Sequence, residues 1–130
     1  MTKSVGNEFA DWGPTLEVHY GGHGKARIDG TIGNNIAVEI ESRVSKQIRG
    51  ALLDLICHEY AKKLLVLMPV HMDNVDETAK QCRFILGKFI PRTDDFQVVA
   101  LMGSGDDPQI NHDVGVIKKA LSKLGFNNGV

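Results

Sequence analysis

The chain has 130 residues, 42% of them hydrophobic and 24% charged, the balance of one soluble globular domain spanning 1–130. Fifteen Lys+Arg against sixteen Asp+Glu exclude a global field for polyanions, so nucleic-acid binding would need a local basic patch or an oligomer groove. The longest apolar run, Leu64–Val70, is too short for a bilayer, and 1–8 lacks the apolar stretch of a secretory signal. A cytoplasmic protein with no membrane role is expected, its Cys57 and Cys82 reduced, buried and inert.

In chain order, Val5–Trp12 reads as a short helix ended by Gly13-Pro14, with Trp12 as a lid on the core. Thr15–Tyr20 alternates polar and apolar residues, Gly21-Gly22-His23-Gly24 turns, and Lys25–Ile32 alternates again. Gly33-Asn34-Asn35 supplies the left-handed conformations of a tight reversal before Ile36–Glu41, which completes a three-stranded antiparallel meander. The period then changes. Val44, Ile48, Ala51, Leu52, Leu55, Ile56 and Tyr60 fall at helical spacing from Ser45 to Tyr60, with Ser42 or Ser45 as the N-cap. Lys63–Val70 reads as a strand covered on both faces. Asp73 is placed to cap a second helix running to about Phe89, and Phe96–Met102 is another apolar strand. Asp107-Pro108 opens a last helix that Gly125 stops after Leu124. Strand-helix-strand order of this kind demands parallel pairing with right-handed crossovers, so the predicted fold is α/β with a mixed sheet, the meander joined to parallel strands.

Loop length decides where the acids point. A three-residue loop at Gly33-Asn34-Asn35 sets Asp29 opposite Glu39, with Glu41 two residues further along the same face and Ile36, Val38 and Ile40 on the other. A two-residue loop would bury an unpaired Asp29 among the isoleucines, at a cost of several kcal/mol, so the longer turn is expected. Three neighbouring carboxylates repel unless a cation sits among them, and oxygen ligands suit Mg²⁺, Mn²⁺ or Ca²⁺. The other reading puts Glu39 and Glu41 on the solvated side of a half-exposed strand, beside Lys25, Arg27 or Arg43.

Arg27-Ile28-Asp29, nine residues, Ala37-Val38-Glu39-Ile40-Glu41, and then a helix opening Ser45-Lys46-Gln47 together resemble the PD-(D/E)XK nuclease superfamily, which includes many restriction endonucleases. The element order over about 5–70 is similar to that family's core, so the resemblance implies a restriction-endonuclease-like sheet and Mg²⁺- or Mn²⁺-dependent hydrolysis of DNA. It places Asp29 and Glu39, with the main-chain carbonyl of Ile40, as metal ligands, and Glu41 where the motif has lysine. Ile28 stands in place of the proline. Some members carry glutamate at the lysine position and others draw a lysine from elsewhere in the fold, for which Lys46 and Lys25 are the candidates. With a metal bound, Glu41 is expected to orient or deprotonate the attacking water or to hold a second metal, and Lys46 or Arg43 to stabilise the charge that develops on phosphorus; by the resemblance Gln47 lines the site and Glu8 is an accessory acid. Lys25, Arg43 and Gln47 are the expected substrate contacts. DNA is the implied partner, gripped by a homodimer or through a larger protein. The rival reading is a non-catalytic accessory or assembly subunit of the same fold, in which Glu41 records the loss of the lysine.

The remaining features carry less chemistry. His19 and His23 straddle a Gly-Gly turn and do not make a zinc site. Gln47, Asp54 and His58 read as a solvated or subunit-facing stripe. "GSGDDP", Gly103–Pro108, lacks the lysine of a phosphate loop and reads as a capping loop. A small-molecule enzyme would instead place a pocket at the strand ends near Met68 and Gly103.

Overall fold

A computed structural model describes residues 9–42, 45–72, 74–103 and 109–126, with the backbone alone at 45–47 and 71. Seven strands and three helices follow in the order β1 (Phe9–Ala10), β2 (Glu17–His19), β3 (Lys25–Arg27), β4 (Gly30–Ile32), β5 (Ile36–Glu41), α1 (Ser45–Cys57), β6 (Lys62–Leu67), α2 (Val75–Phe89), β7 (Phe96–Ala100) and α3 (Ile110–Lys123). Five strands form a mixed sheet in the order β1-β4-β5-β6-β7, while β2 and β3 pair separately. β5, β6 and β7 run parallel, and β4 is antiparallel to both β5 and β1.

The expected meander is therefore corrected. The strand foreseen over Lys25–Ile32 breaks at Ile28-Asp29: the Ile28 N–H still donates to the Leu16 carbonyl at 3.0 Å, in register with β2, whereas from Gly30 the chain pairs with β5. Its first half stays with β2 and its second half crosses into the main sheet. The vacant edge of β4 is taken by Phe9-Ala10, where a helix was expected. That pairing needs glycine at position 30, since a Cβ there would lie 2.4 Å from the Phe9 ring and 2.8 Å from the Ala10 carbonyl. Strand pairing overrides the weak local helix preference. Residues 5–8 lie outside the described residues.

Sheet alternation divides the core between two faces. Ala37, Leu65 and Val98 pack with Ile48, Leu52 and Leu55 of α1, Cys82 and Leu86 of α2, and Leu16, Val18 and Ile28 beside the hairpin. Ile36, Val38, Leu64, Val66 and Val99 pack against Ile117, Ala120, Leu121 and Leu124 on the α3 side. The sheet thus has helices on both faces: the two crossovers, β5-α1-β6 and β6-α2-β7, step in the same direction and place α1 and α2 together on one face, and α3, which follows β7, covers the other. β6 is buried along Lys63–Leu67, as its apolar run implies.

Helix ends differ from the sequence reading in detail. α1 stops at Cys57 rather than Tyr60, because the Tyr60 N–H donates to His58 Nδ1 at 3.1 Å. The N-cap of α2 is Asn74, whose Oδ1 accepts from the Glu77 N–H at 3.0 Å; Asp73 lies outside the described residues. Gly125, at φ +91, ends α3 as expected. The capping loop at 104–108, including Asp107-Pro108, lies outside the described residues. Trp12 is 77% exposed and is not a core lid, and Cys57 is exposed, leaving Cys82 as the buried thiol. No helix among the described residues is long and apolar enough to cross a membrane.

Candidate functional site

The turn joining β4 and β5 has three residues. Ile32 pairs with Ile36, Thr31 with Ala37 and Gly30 with Val38, so continuing the register sets Asp29 against Glu39. Gly33 at φ +64 and Asn34 at φ +73 supply the left-handed conformations that reverse the chain. Ile36 and Val38 point to the α3 side with Ile40 packed against the same cluster, as the longer loop requires.

The two acids are locked by reciprocal hydrogen bonds. The Asp29 N–H donates to Glu39 Oε1 at 2.9 Å, and the Ile40 N–H donates to Asp29 Oδ2 at 2.7 Å. β4 has already ended at Gly30, so the Asp29 side chain takes the place of the strand acceptor that Ile40 would otherwise lack. The Glu41 carbonyl accepts from the Met68 N–H at 2.9 Å and so faces β6. By alternation the Ile40 carbonyl faces the opposite way, to the side of Asp29.

Exposure separates the two carboxylates. Asp29 is exposed, whereas Glu39 is 7% exposed and lies on the sheet face covered by α1 and α2. Burial first, and the neighbouring Asp29 charge second, push the Glu39 carboxyl up to about 8. Glu41 is 3% exposed, and its Oε1 accepts from the Ser42 N–H at 3.2 Å. The solvated-strand reading of Glu39 and Glu41 is thereby overturned.

Of the other predicted site residues, Lys25 sits on β3 with its ammonium 2.9 Å from Glu17 Oε2, an exposed ion pair on the hairpin rather than a contact to the acids. Lys46 and Gln47 occupy the first turn of α1. Their side chains, Arg43 and Glu8 lie outside the described residues.

The sequence reading missed a second layer. Asp54 of α1 accepts a hydrogen bond from the Tyr20 hydroxyl, and its charge adds to those acting on Glu39. This bond, with burial, pushes the Tyr20 hydroxyl up to about 12. His58 is buried, with Nε2 2.7 Å from the Thr15 carbonyl and Nδ1 accepting from Tyr60, which fixes a neutral imidazole with its proton on Nε2. Asp54 and His58, expected in a solvated or subunit-facing stripe, instead anchor the segment around the β2–β3 hairpin, through Tyr20 and Thr15, to α1 and the turn after it; the Gln47 side chain lies outside the described residues. The signal was present in the helical spacing, since Asp54 and His58 follow the core residue Ala51 at i+3 and i+7.

Among the described residues no group of three or more His, Cys, Asp or Glu is arranged to hold a metal ion. The donor set at Asp29, Glu39 and the Ile40 carbonyl is nevertheless all oxygen and places a raised carboxyl, which a bound cation would help to ionise, against the Asp29 charge. That chemistry fits a hard divalent cation, which commonly takes one or two protein carboxylates and fills its remaining positions with water and phosphate. Comparison with family models, curated proteins and solved structures returned no match to this chain.

Proposed function

We propose that this chain is a divalent-metal-dependent DNA endonuclease with a restriction-endonuclease-like sheet. The observation that carries the reading is the joining of Asp29 to Glu39 across a three-residue turn, with the Glu39 carboxyl raised to about 8 by burial and by its neighbour. A site that holds two acids together at this cost is suited to a cation.

Asp29, Glu39 and the Ile40 carbonyl would hold Mg²⁺ or Mn²⁺. Such an ion supplies Lewis acidity toward a phosphate oxygen and lowers the pKa of water. Asp29, exposed, and Glu39, buried, would be the two carboxylate ligands, Asp29 positioned by the Ile40 N–H and Glu39 by the Asp29 N–H. Glu41, one pleat beyond Glu39, orients the attacking water and takes its proton on a carboxylate oxygen. Lys46 or Arg43 would stabilise the charge developing on phosphorus. Lys25 and Gln47 contact the DNA backbone. A homodimer, or a larger protein partner, widens the grip that a chain of this size has on a duplex.

One observation favours a second reading, a non-catalytic accessory subunit. Each of the two acids already has an oxygen engaged by a main-chain amide, so the pair also serves as a latch between Asp29 and β5. The experiment that separates the readings is incubation of purified protein with supercoiled, linear, branched and single-stranded DNA, with and without Mg²⁺ or Mn²⁺. Metal-dependent cleavage that vanishes in Asp29→Ala supports the enzyme; a folded protein inert on every substrate supports the latch.

A further inference from the structure

β7 is an outer strand of the five-stranded sheet, and among the described residues no strand lies on its far side. The Leu101 N–H donates to the Leu67 carbonyl at 2.9 Å, so Val99 and Leu101 turn their main-chain groups toward β6. By alternation Val98 and Ala100 turn theirs outward. The Val98 carbonyl agrees, since it accepts from Arg83 Nη2 of α2 at 2.9 Å.

This edge lines a groove of about 470 Å³ between α2 and α3. Val116 and Ala120 give it an apolar wall, and Arg83, Lys119 and Lys123 face it against one acid, Asp76. The charge selects among occupants. A second copy pairing edge to edge would bring two sets of these cations together, a like-charge contact that disfavours it. A nucleic-acid strand would meet the cations but leave the outward amides of Val98 and Ala100 without strand partners. An extended acidic peptide satisfies both.

We propose that the β7 edge is a docking site for an acidic peptide segment, which adds to the sheet as a sixth strand. Main-chain hydrogen bonds to Val98 and Ala100 give register, and Lys119, Lys123 and Arg83 receive the carboxylates. Arg83 covers the Val98 carbonyl in the unbound protein, which keeps the edge from pairing indiscriminately. On docking, a peptide N–H takes that carbonyl and the guanidinium moves to a carboxylate.

The test is fluorescence anisotropy of the full chain with a labelled eight-residue peptide of alternating glutamate and valine, at low salt. Saturable binding is expected, weakened at least tenfold by Lys119→Glu/Lys123→Glu and by Ala100→Pro, which removes an outward N–H but no bond to β6. The same peptide N-methylated at alternate residues is expected to lose binding by a similar factor, and this arm does not depend on any variant folding. Equal binding of the N-methylated peptide, displacement by oligothymidine of equal charge as readily as by the peptide itself, or no binding at all would overturn the proposal.

Discussion

Asp29 and Glu39 are joined through the main chain as well as by charge: the Asp29 N–H donates to Glu39 Oε1, and the Asp29 carboxylate accepts from the residue that follows Glu39. The pair belongs at once to the turn that sets strand register and to the site that the acids would serve. Removing Asp29 tests both roles. Asp29→Ala is expected to cost about 1 kcal/mol, the worth of an exposed hydrogen bond, while abolishing cleavage. Urea denaturation beside a plasmid-nicking assay reads the two effects separately.

Glu39 and Lys63 give the metal-free protein a distinctive pH profile. The Glu39 carboxyl, ordinarily near 4.5, is raised to about 8, so between these values the native state holds more protons than the unfolded chain. Its contribution is fully present below pH 4.5 and is lost as the pH climbs to about 8. Burial has the opposite effect on Lys63, pushing its ammonium down from 10.5 to about 8, so stability recovers as pH rises between those values. These two groups predict a shallow minimum near pH 8 in the urea midpoint. Glu39→Gln should flatten the limb below it; a fall of unchanged slope in that variant would assign the limb to other groups.

Tyr20→Phe removes the hydroxyl that Asp54 accepts from and loosens the β2–β3 hairpin from α1. A loss of about 1.5–3 kcal/mol is expected, the range for a hydrogen bond to a charged group. Thermal unfolding measures the loss. Faster amide exchange confined to the hairpin would place it there, whereas a uniform increase over the whole sheet would contradict the local role.

Gly30→Ala puts a methyl group where the Phe9 ring and the Ala10 carbonyl now pack. β1 is expected to leave the sheet, with faster exchange of the main-chain amides it shares with β4 and little change in β6. Leu65→Ala, by contrast, empties a fully buried position in β6, an interior strand of the sheet, and should cost about 2–5 kcal/mol. Chemical denaturation of both variants checks the contrast.

The site's frame was legible because one decision, a three-residue turn at Gly33-Asn34-Asn35, follows from keeping Asp29 off the isoleucine face. Helices and parallel strands announced themselves by period and by apolar runs such as Leu64–Leu67. What escaped depended on distant partners. Alternation runs on unbroken through Ile28-Asp29, and nothing local shows that Ile28 still pairs with Leu16, in register with β2, while Gly30 onward pairs with β5. Phe9-Ala10 has no strand signature of its own and pairs because β4 offers an edge. The burial of Glu39 and Glu41 was unreadable for a similar reason, since alternation tells which residues share a face but not that α1 and α2 cover it.

Asp29 and Glu39 are proposed to hold a divalent cation together. Titrating the purified chain with Mn²⁺ or Mg²⁺ while following the melting temperature tests it most directly. A saturable rise is expected that chelation reverses, that Asp29→Ala and Glu39→Gln each remove, and that is larger at pH 8 than at pH 6, where Glu39 holds a proton against the metal. An unchanged melting temperature at millimolar metal, or an equal rise in both variants, would contradict it.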